Sequence, residues 1–371
     1  MKNLHFSKIS ILAGRLLGRG GTETVLLHIF NDKNLKKIFT YKLFVTERSE
    51  EKGLLPFLAE TGLKKAKITL NQSSGCIRNF KRFIYLVFTN SDFIIGLTPK
   101  EIKKAAQVRK ILKKKYKIVS WIHFSIKYMP GHSYERMKKE LPLADYHLSI
   151  SDGLTKELNE IGLKDNVFTI YNPVRRQEQT ILQPNENKTK LVYVGRLENQ
   201  QKNILELFDI LDLIADDFNL DIYGSGPDEE MLQKEVAKNK KLNEKIVWKG
   251  WKSNPWNEIK QADALVLTSN YEGFPMTLNE AISRGLPAIS YDLPVGPSSL
   301  IQDGVNGYLV EFGNKREFAE KIMTLSNRKL FNDRQSVKNS LEFLYDNQYS
   351  KRVIDAFSKM NGLEMNRIIN E

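Results

Sequence analysis

Glu272 and Glu280 stand with seven residues between them in the stretch SNYEGFPMTLNEAISRGLP (269–287), which continues directly from the strand-like run ALVLTS. Pro275 suits the first position of a helix and Gly285 its C-terminal cap, so a helix is expected over roughly 275–284. Glu272 then lies in the loop before the helix and Glu280 on it, with Gly273, Phe274, Pro275, Met276 and Thr277 forming the turn between them. Backbone N–H groups at a helix start favour an anion. A carboxylate accepts hydrogen bonds from sugar hydroxyls but repels phosphate, so acids on either side of such a turn imply a ligand with polyol ends and an anionic middle. A nucleotide sugar has that shape.

Two cations are placed to meet the anionic part. Gly195-Arg196-Leu197 ends the run LVYVG, and Gln201-Lys202-Asn203 opens the next helical pattern. A diphosphate suits both, Arg196 by forked hydrogen bonds and Lys202 as a point charge. Gly224-Ser225-Gly226-Pro227 forms another turn between a strand and the acidic helix start Asp228-Glu229-Glu230. Near the N-terminus, Gly14, Gly18, Gly20 and Gly21 follow the first strand, and Thr22 is the expected N-cap of the helix ETVLLHIF. The third glycine of a dinucleotide fingerprint is missing, since Glu23 stands there, although Glu47 closes the next strand where a ribose-binding acid would sit.

These turns need a scaffold of strands feeding helices. Short β-rich runs recur at 8–12, 42–46, 66–70, 92–97, 117–123, 146–151 and 168–174, and again at 191–195, 220–224, 245–250, 264–269, 287–292 and 307–310. Alternation with helical patterns implies parallel α/β sheets. In 203–218 the apolar residues Leu205, Phe208, Leu211, Ile214 and Phe218 fall at three- to four-residue steps, one core-facing helical stripe. The polar stretch 175–190 reads as an exposed linker. We therefore expect domains at 1–171 and 172–345, with a C-terminal helix at 346–371 that crosses back to the first, and with the site in a cleft between them.

A chain of 371 residues has room for two such cores, and 41% hydrophobic with 27% charged residues is ordinary for a folded chain. The single cysteine, Cys76, cannot form an internal disulfide or a cluster, which fits a reducing compartment. The apolar segment near residue 10 is too short for a signal-peptide core, and Phe83–Leu97 is broken by Asn90, Ser91 and Asp92. The net charge of +13 is unevenly spread: 1–171 holds 31 Lys and Arg against 15 Asp and Glu, and 172–371 holds 26 against 29. A basic first half implies an anionic surface or polymer as its partner.

Taken together, Gly20-Gly21, Gly195-Arg196, Lys202, the 224–227 turn, Glu272 with Glu280, and Asp303-Gly-Val-Asn-Gly307 resemble glycosyltransferase family 4, over nearly the whole chain and most tightly over 191–310. The stretches Ser120-Trp-Ile-His123-Phe-Ser125 and Asp292-Leu-Pro-Val-Gly-Pro297 are further similar to the bacterial lipopolysaccharide 1,6-galactosyltransferases. The resemblance implies the GT-B architecture, α/β with two Rossmann-like parallel-sheet domains facing a central cleft, and a retaining transfer of a hexose, galactose first, from a UDP-sugar. It implies that Glu272 binds donor-sugar hydroxyls, Glu280 the ribose, and Arg196 with Lys202 the departing diphosphate. Gly20, Gly21, Gly195, Gly224 and the 273–277 turn would line the donor, and His123 would orient its sugar.

No acidic triplet or His cluster marks a metal, so metal-independent transfer is expected, with no cofactor beside the nucleotide sugar. The acceptor would be a cell-envelope glycan or a lipid-linked one. The run 100–117 carries nine Lys and Arg against Glu101 and would meet an anionic membrane face, making the enzyme cytoplasmic and peripheral. Two other readings stay open on residues alone. A Rossmann-type oxidoreductase or epimerase shares the opening glycine turn and Glu47, and a nucleic-acid-binding protein would use the basic half, although nucleic acid is not the expected partner.

Overall fold

The computed structural model describes residues 7–16, 20–49, 51–64, 67–128, 133–185, 188–325, 327 and 329–362. Gly18, one glycine of the N-terminal turn, lies outside them. The chain forms two units, one of 1–173 with 347–371 and one of 174–346.

Unit 1 is built on seven strands: β1 Ser7–Ala13, β2 Phe39–Val45, β3 Ile68–Leu70, β4 Phe93–Gly96, β5 Lys117–Trp121, β6 Tyr146–Ser149 and β7 Val167–Thr169. They form one parallel sheet in the order β3-β2-β1-β4-β5-β6-β7. The central strands β1 and β4 are buried at every position but Lys8, as expected where helices cover both faces of a parallel sheet. The final helix, Asp346–Met360, packs here: Phe357 meets Phe39 at 5.1 Å and Phe93 at 4.9 Å between ring centroids, and Lys117 donates to the carbonyl of Met360.

Unit 2 repeats the plan with six strands: β8 Thr189–Val194, β9 Phe218–Tyr223, β10 Ile246–Gly250, β11 Ala264–Leu267, β12 Ala288–Asp292 and β13 Gly307–Glu311. Their order is β10-β9-β8-β11-β12-β13, all parallel. Chain order reverses between β8 and β11, and in unit 1 between β1 and β4. Loops leaving the strands there diverge to opposite sides and open a crevice at the carboxyl edge, the place where such sheets take ligands.

Several local expectations are corrected. The helical stripe after β8 is Ile204, Leu207, Phe208 and Leu211, on a helix Ile204–Asp212, because Asn203 (φ 49°) breaks the run. Leu205 is only half-buried, Ile214 lies beyond the helix, and Phe218 opens β9. Thr22 is not the N-cap, since the helix Gly21–Asn31 starts two residues earlier than expected and Gly20 caps it. The polar stretch 175–190 is not a free linker but a strap fastened to unit 2. Ile181 N–H bonds the carbonyl of Arg284 at 2.9 Å, Leu182 N–H that of Lys260 at 3.0 Å, and Lys338 Nζ donates to the carbonyl of Gln177 at 2.8 Å and to Thr180 Oγ1 at 2.9 Å. Few apolar residues are needed where backbone groups are satisfied in this way. Among the described residues, no helix is long and apolar enough to cross a membrane.

Candidate active site

At the carboxyl edge of unit 2, the turns after β8, β9 and β11 converge. Gly195 N–H bonds the carbonyl of Tyr223 and Leu197 N–H that of Ser225, both at 3.0 Å, so the first two turns run side by side. A Cβ on Gly224 would collide with the carbonyl oxygen of Gly195, and one on Gly226 with that of Leu197. Only glycine permits this approach. Gly224 thus acts first as the spacer that lets the two turns touch.

Arg196 leaves the β8 turn exposed to solvent, paired with Glu198 at 3.1 Å. Lys202 ends the short helix Asn199–Lys202, which is laced to the strand end of β11: Thr268 Oγ1 donates to the carbonyl of Asn203 at 3.0 Å, and Asn270 N–H to that of Gln201 at 2.8 Å. This lacing sets Lys202 Nζ 2.7 Å from Glu272 Oε1, with 14% and 6% of the side chains exposed. Tyr193 lies beneath, its hydroxyl pKa raised by burial and by the Glu272 charge, so it stays a neutral phenol.

The turn 272–275 is nearly closed off, with Glu272, Gly273, Phe274 and Pro275 all buried. The helix is shorter than expected, Met276–Ile282, and Pro275 caps it instead of opening it. Leu278 N–H and Asn279 N–H both turn back to the carbonyl of Pro275, at 3.0 and 3.4 Å, and the amides ahead of them lie at the positive end of the helix. Gly296 (φ 111°) backs the turn: a Cβ there would sit 3.1 Å from Glu272 Cβ and 3.0 Å from Pro275 Cδ. Gly285 (φ 78°) ends the segment against the carbonyl of Arg334.

Among the described residues, Glu280 is held by a side chain at one oxygen. Trp256 Nε1 donates to Glu280 Oε2 at 2.9 Å, while Arg284 stacks 5.1 Å over the Trp256 ring and donates to the Glu280 carbonyl at 2.8 Å. Burial pushes the Glu280 carboxyl up, against the Trp256 hydrogen bond and the Arg284 charge, which lower it. Trp256, Arg284, Tyr193 and Gly296 were given no role in the sequence reading. Trp256 and Gly296 are distant in sequence from the residues they support, whereas Arg284 and Tyr193 stood inside stretches already singled out without a chemical reason to choose them.

Unit 2 therefore gathers Arg196, Lys202, Glu272, the 273–277 turn, Glu280, Gly195 and Gly224. Gly20, Gly21 and His123 belong to unit 1. There the Glu23 carboxylate folds over the helix start so closely that a Cβ on Gly20 would meet Glu23 Oε2 at 2.5 Å. An acid in the first turn suits the helix dipole. His123 follows β5, its ring tilted against that of Trp121 at 4.6 Å between centroids, and its buried Nε2 has no partner among the described residues. Burial drives its pKa down to about 3, leaving a neutral imidazole. Glu47, the candidate ribose acid of a dehydrogenase, is instead bound by Lys100 at 2.6 Å, which holds its carboxyl below the usual range.

The arrangement is one of cations, helix amides and carboxylates around a crevice, suited to gripping a phosphorylated polyol. The sequence profile of "Glycosyl transferases group 1" matches residues 174–340, the unit that carries this crevice. A lipopolysaccharide 1,6-galactosyltransferase of Salmonella typhimurium is 30% identical over 365 residues, spanning 95% of this chain and 99% of that one. The solved structure of the lipopolysaccharide outer core galactosyltransferase WaaB, in its apo form, superposes with a TM-score of 0.80 at 31% identity, covering 95% and 99% of the two chains. Anabaena HepE in complex with UDP-glucose shares the fold, with a TM-score of 0.77 at 17% identity over 95% and 100%. Two parallel-sheet units of this kind are the GT-B architecture, and the chain belongs to the group 1 glycosyl transferases.

Proposed function

We propose that the enzyme is a retaining galactosyltransferase of family 4, moving galactose from UDP-galactose to a hydroxyl of a lipopolysaccharide-type envelope glycan. The observation that carries this reading is the Lys202–Glu272 pair at the reversal between β8 and β11, with Arg196 on the turn that leaves β8. The near-full-length similarity to lipopolysaccharide 1,6-galactosyltransferases supports the sugar and acceptor, and the HepE complex supports UDP as the carrier.

In this reading the diphosphate lies between Arg196, Lys202 and the first amides of the Met276–Ile282 helix. As the bond from the anomeric carbon to the β-phosphate oxygen breaks, negative charge grows on that oxygen, and these donors stabilise it. The acceptor hydroxyl attacks on the same face and passes its proton to the leaving phosphate. A glycosidase would use two carboxylates about 5 Å apart as acid and nucleophile. Here Glu272 is committed to Lys202 and Glu280 to Trp256, so their role is to accept hydrogen bonds from the hexose and ribose hydroxyls. His123, kept neutral by burial, would orient the sugar.

Arg196 and Lys202 supply the charge that a divalent ion otherwise brings, so we propose transfer without a metal, undiminished in EDTA. The basic first unit would hold the enzyme on an anionic membrane face near a lipid-linked acceptor. UDP release from UDP-galactose, UDP-glucose and UDP-N-acetylglucosamine, with GDP release from GDP-mannose, tests the donor. Galactose should lead by at least roughly tenfold, the discrimination available where hydroxyls are read by buried acceptors. Preference for GDP-mannose would overturn the reading.

A further inference from the structure

The helix Gly75–Phe88 of unit 1 is turned inside out. Arg82 and Leu86 are its buried residues, whereas Ile77 and Phe80 are each 63% exposed, Phe88 is 79% exposed, and Ile84 lies open between them. The steps 77, 80, 84, 88 are those of an apolar stripe that a helix in a water-soluble domain points at the core.

Its fastenings are largely polar. Arg82 Nε lies 3.1 Å from Glu101 Oε2, both fully buried, and Glu101 Oε1 also accepts from Thr46 Oγ1 at 2.6 Å. The Tyr85 hydroxyl meets Ser10 Oγ at 3.0 Å, and its ring packs on Phe44 at 4.3 Å. With the helix attached by an ion pair and hydroxyls, its apolar side is left facing outward, a patch seldom left without an interaction role.

Cations frame the stripe. Arg78 and Lys81 are on the helix itself. The next helix, Pro99–Leu112, packs against it and crosses the same parallel sheet in the same sense, so its C-terminal end lies at the edge reached by Phe88. There Ile111 is 70% exposed and is followed by Leu112 and then Lys113, Lys114 and Lys115. Within 100–117, Lys100, Lys103 and Arg109 are taken by Glu47, Glu140 and Asp145, whereas Lys110 and Lys113 to Lys115 have no ion pair among the described residues.

We propose that this stripe, not the basic run alone, is the surface by which the enzyme enters an anionic lipid bilayer. Ile77, Phe80, Ile84 and Phe88 would sink to the boundary of headgroups and acyl chains, with the lysines at the phosphates. A second copy of the chain is the poorer occupant, because it would set one strongly basic unit against another, whereas headgroups bring the opposite charge. The proposal deepens the membrane association above by naming the element, and it does not depend on the donor.

Vesicle flotation of the full chain tests it, with phosphatidylglycerol–phosphatidylcholine vesicles against phosphatidylcholine alone. Wild type should float with the anionic vesicles. The variant Phe80→Glu with Phe88→Glu changes only exposed positions and should melt like wild type, yet lose partitioning roughly tenfold or more, the scale of removing two buried apolar anchors. Lys113→Glu with Lys114→Glu and Lys115→Glu should weaken flotation and its dependence on salt. UDP release, read without vesicles, should be unchanged in both, so loss of the donor reading would show there and not in flotation. The proposal is overturned if wild type ignores anionic vesicles or if the double variant floats like wild type. It is equally overturned if light scattering finds a wild-type dimer that the double variant dissolves, which would assign the stripe to a second copy.

Discussion

Lys202 and Glu272 form a nearly enclosed ion pair, so each should depend on the other before any donor arrives. Replacing Lys202 by Met leaves the Glu272 carboxylate buried without its cation. Breaking a fully buried pair costs about 3–5 kcal/mol. With 14% of the lysine still reaching solvent, about 2–3 kcal/mol is the fitting expectation here. In a unit of this size each kcal/mol moves the melting temperature by roughly 2–4 °C, which gives a drop of about 4–12 °C. Glu272→Gln keeps the shape and leaves a more accessible cation, so it should melt closer to wild type. The double variant should regain stability lost in Lys202→Met, because neither charge is then stranded. Turnover behaves differently: all three variants should lose roughly 10²–10³ in UDP release, since each removes a contact to developing charge or to the sugar. Melting curves with and without UDP, alongside UDP release, separate the two effects. Lys202→Met that melts and turns over like wild type would refute the reasoning.

Burial raises the Glu280 carboxyl, so its ionised form opposes folding and the stability it withholds grows as pH rises through its elevated pKa. Glu280→Gln should therefore melt a few degrees above wild type at pH 8, with the gap closing toward pH 5, while UDP affinity falls; a lower melting temperature at pH 8 would contradict this. Arg82→Leu strands Glu101 and should cost about 3–5 kcal/mol, partly restored when Glu101 is also made Leu, as thermal melts will report. His123, neutral with a pKa of about 3, should place no limb on the turnover profile between pH 5 and 9. His123→Ala should lower turnover by roughly 10–100-fold through lost orientation while leaving that profile's shape intact, and unchanged turnover would remove His123 from the site.

Much of the scaffold was legible in the sequence because parallel strands buried on both faces advertise themselves as apolar runs, and all the expected runs became strands. Helix limits were less so: Asn203 adopts a left-handed conformation that splits one expected helix, and Pro275 serves as a cap, not a first residue. The strap at 175–190 misread as a linker because its order comes from partners distant in sequence, Arg284, Lys260 and Lys338. In the site, charge type and position after a strand pointed to Arg196, Lys202, Glu272 and Glu280. Trp256 and Tyr193 were invisible for the opposite reason, being ordinary aromatic residues whose importance lies in what they meet in the fold, the Glu280 carboxylate for Trp256 and the Arg196 carbonyl for Tyr193. The outward stripe of Gly75–Phe88 was not read from the sequence, and its period alone would not tell which side of the helix finds a partner.

The central claim, that unit 2 grips a nucleotide sugar at the reversal between β8 and β11, is tested most directly by a crystal structure with UDP-galactose. The diphosphate should lie against Arg196, Lys202 and the first amides of the Met276–Ile282 helix, the ribose at Glu280 and the hexose at Glu272. Density for the nucleotide away from residues 196, 202 and 272–280 would contradict it.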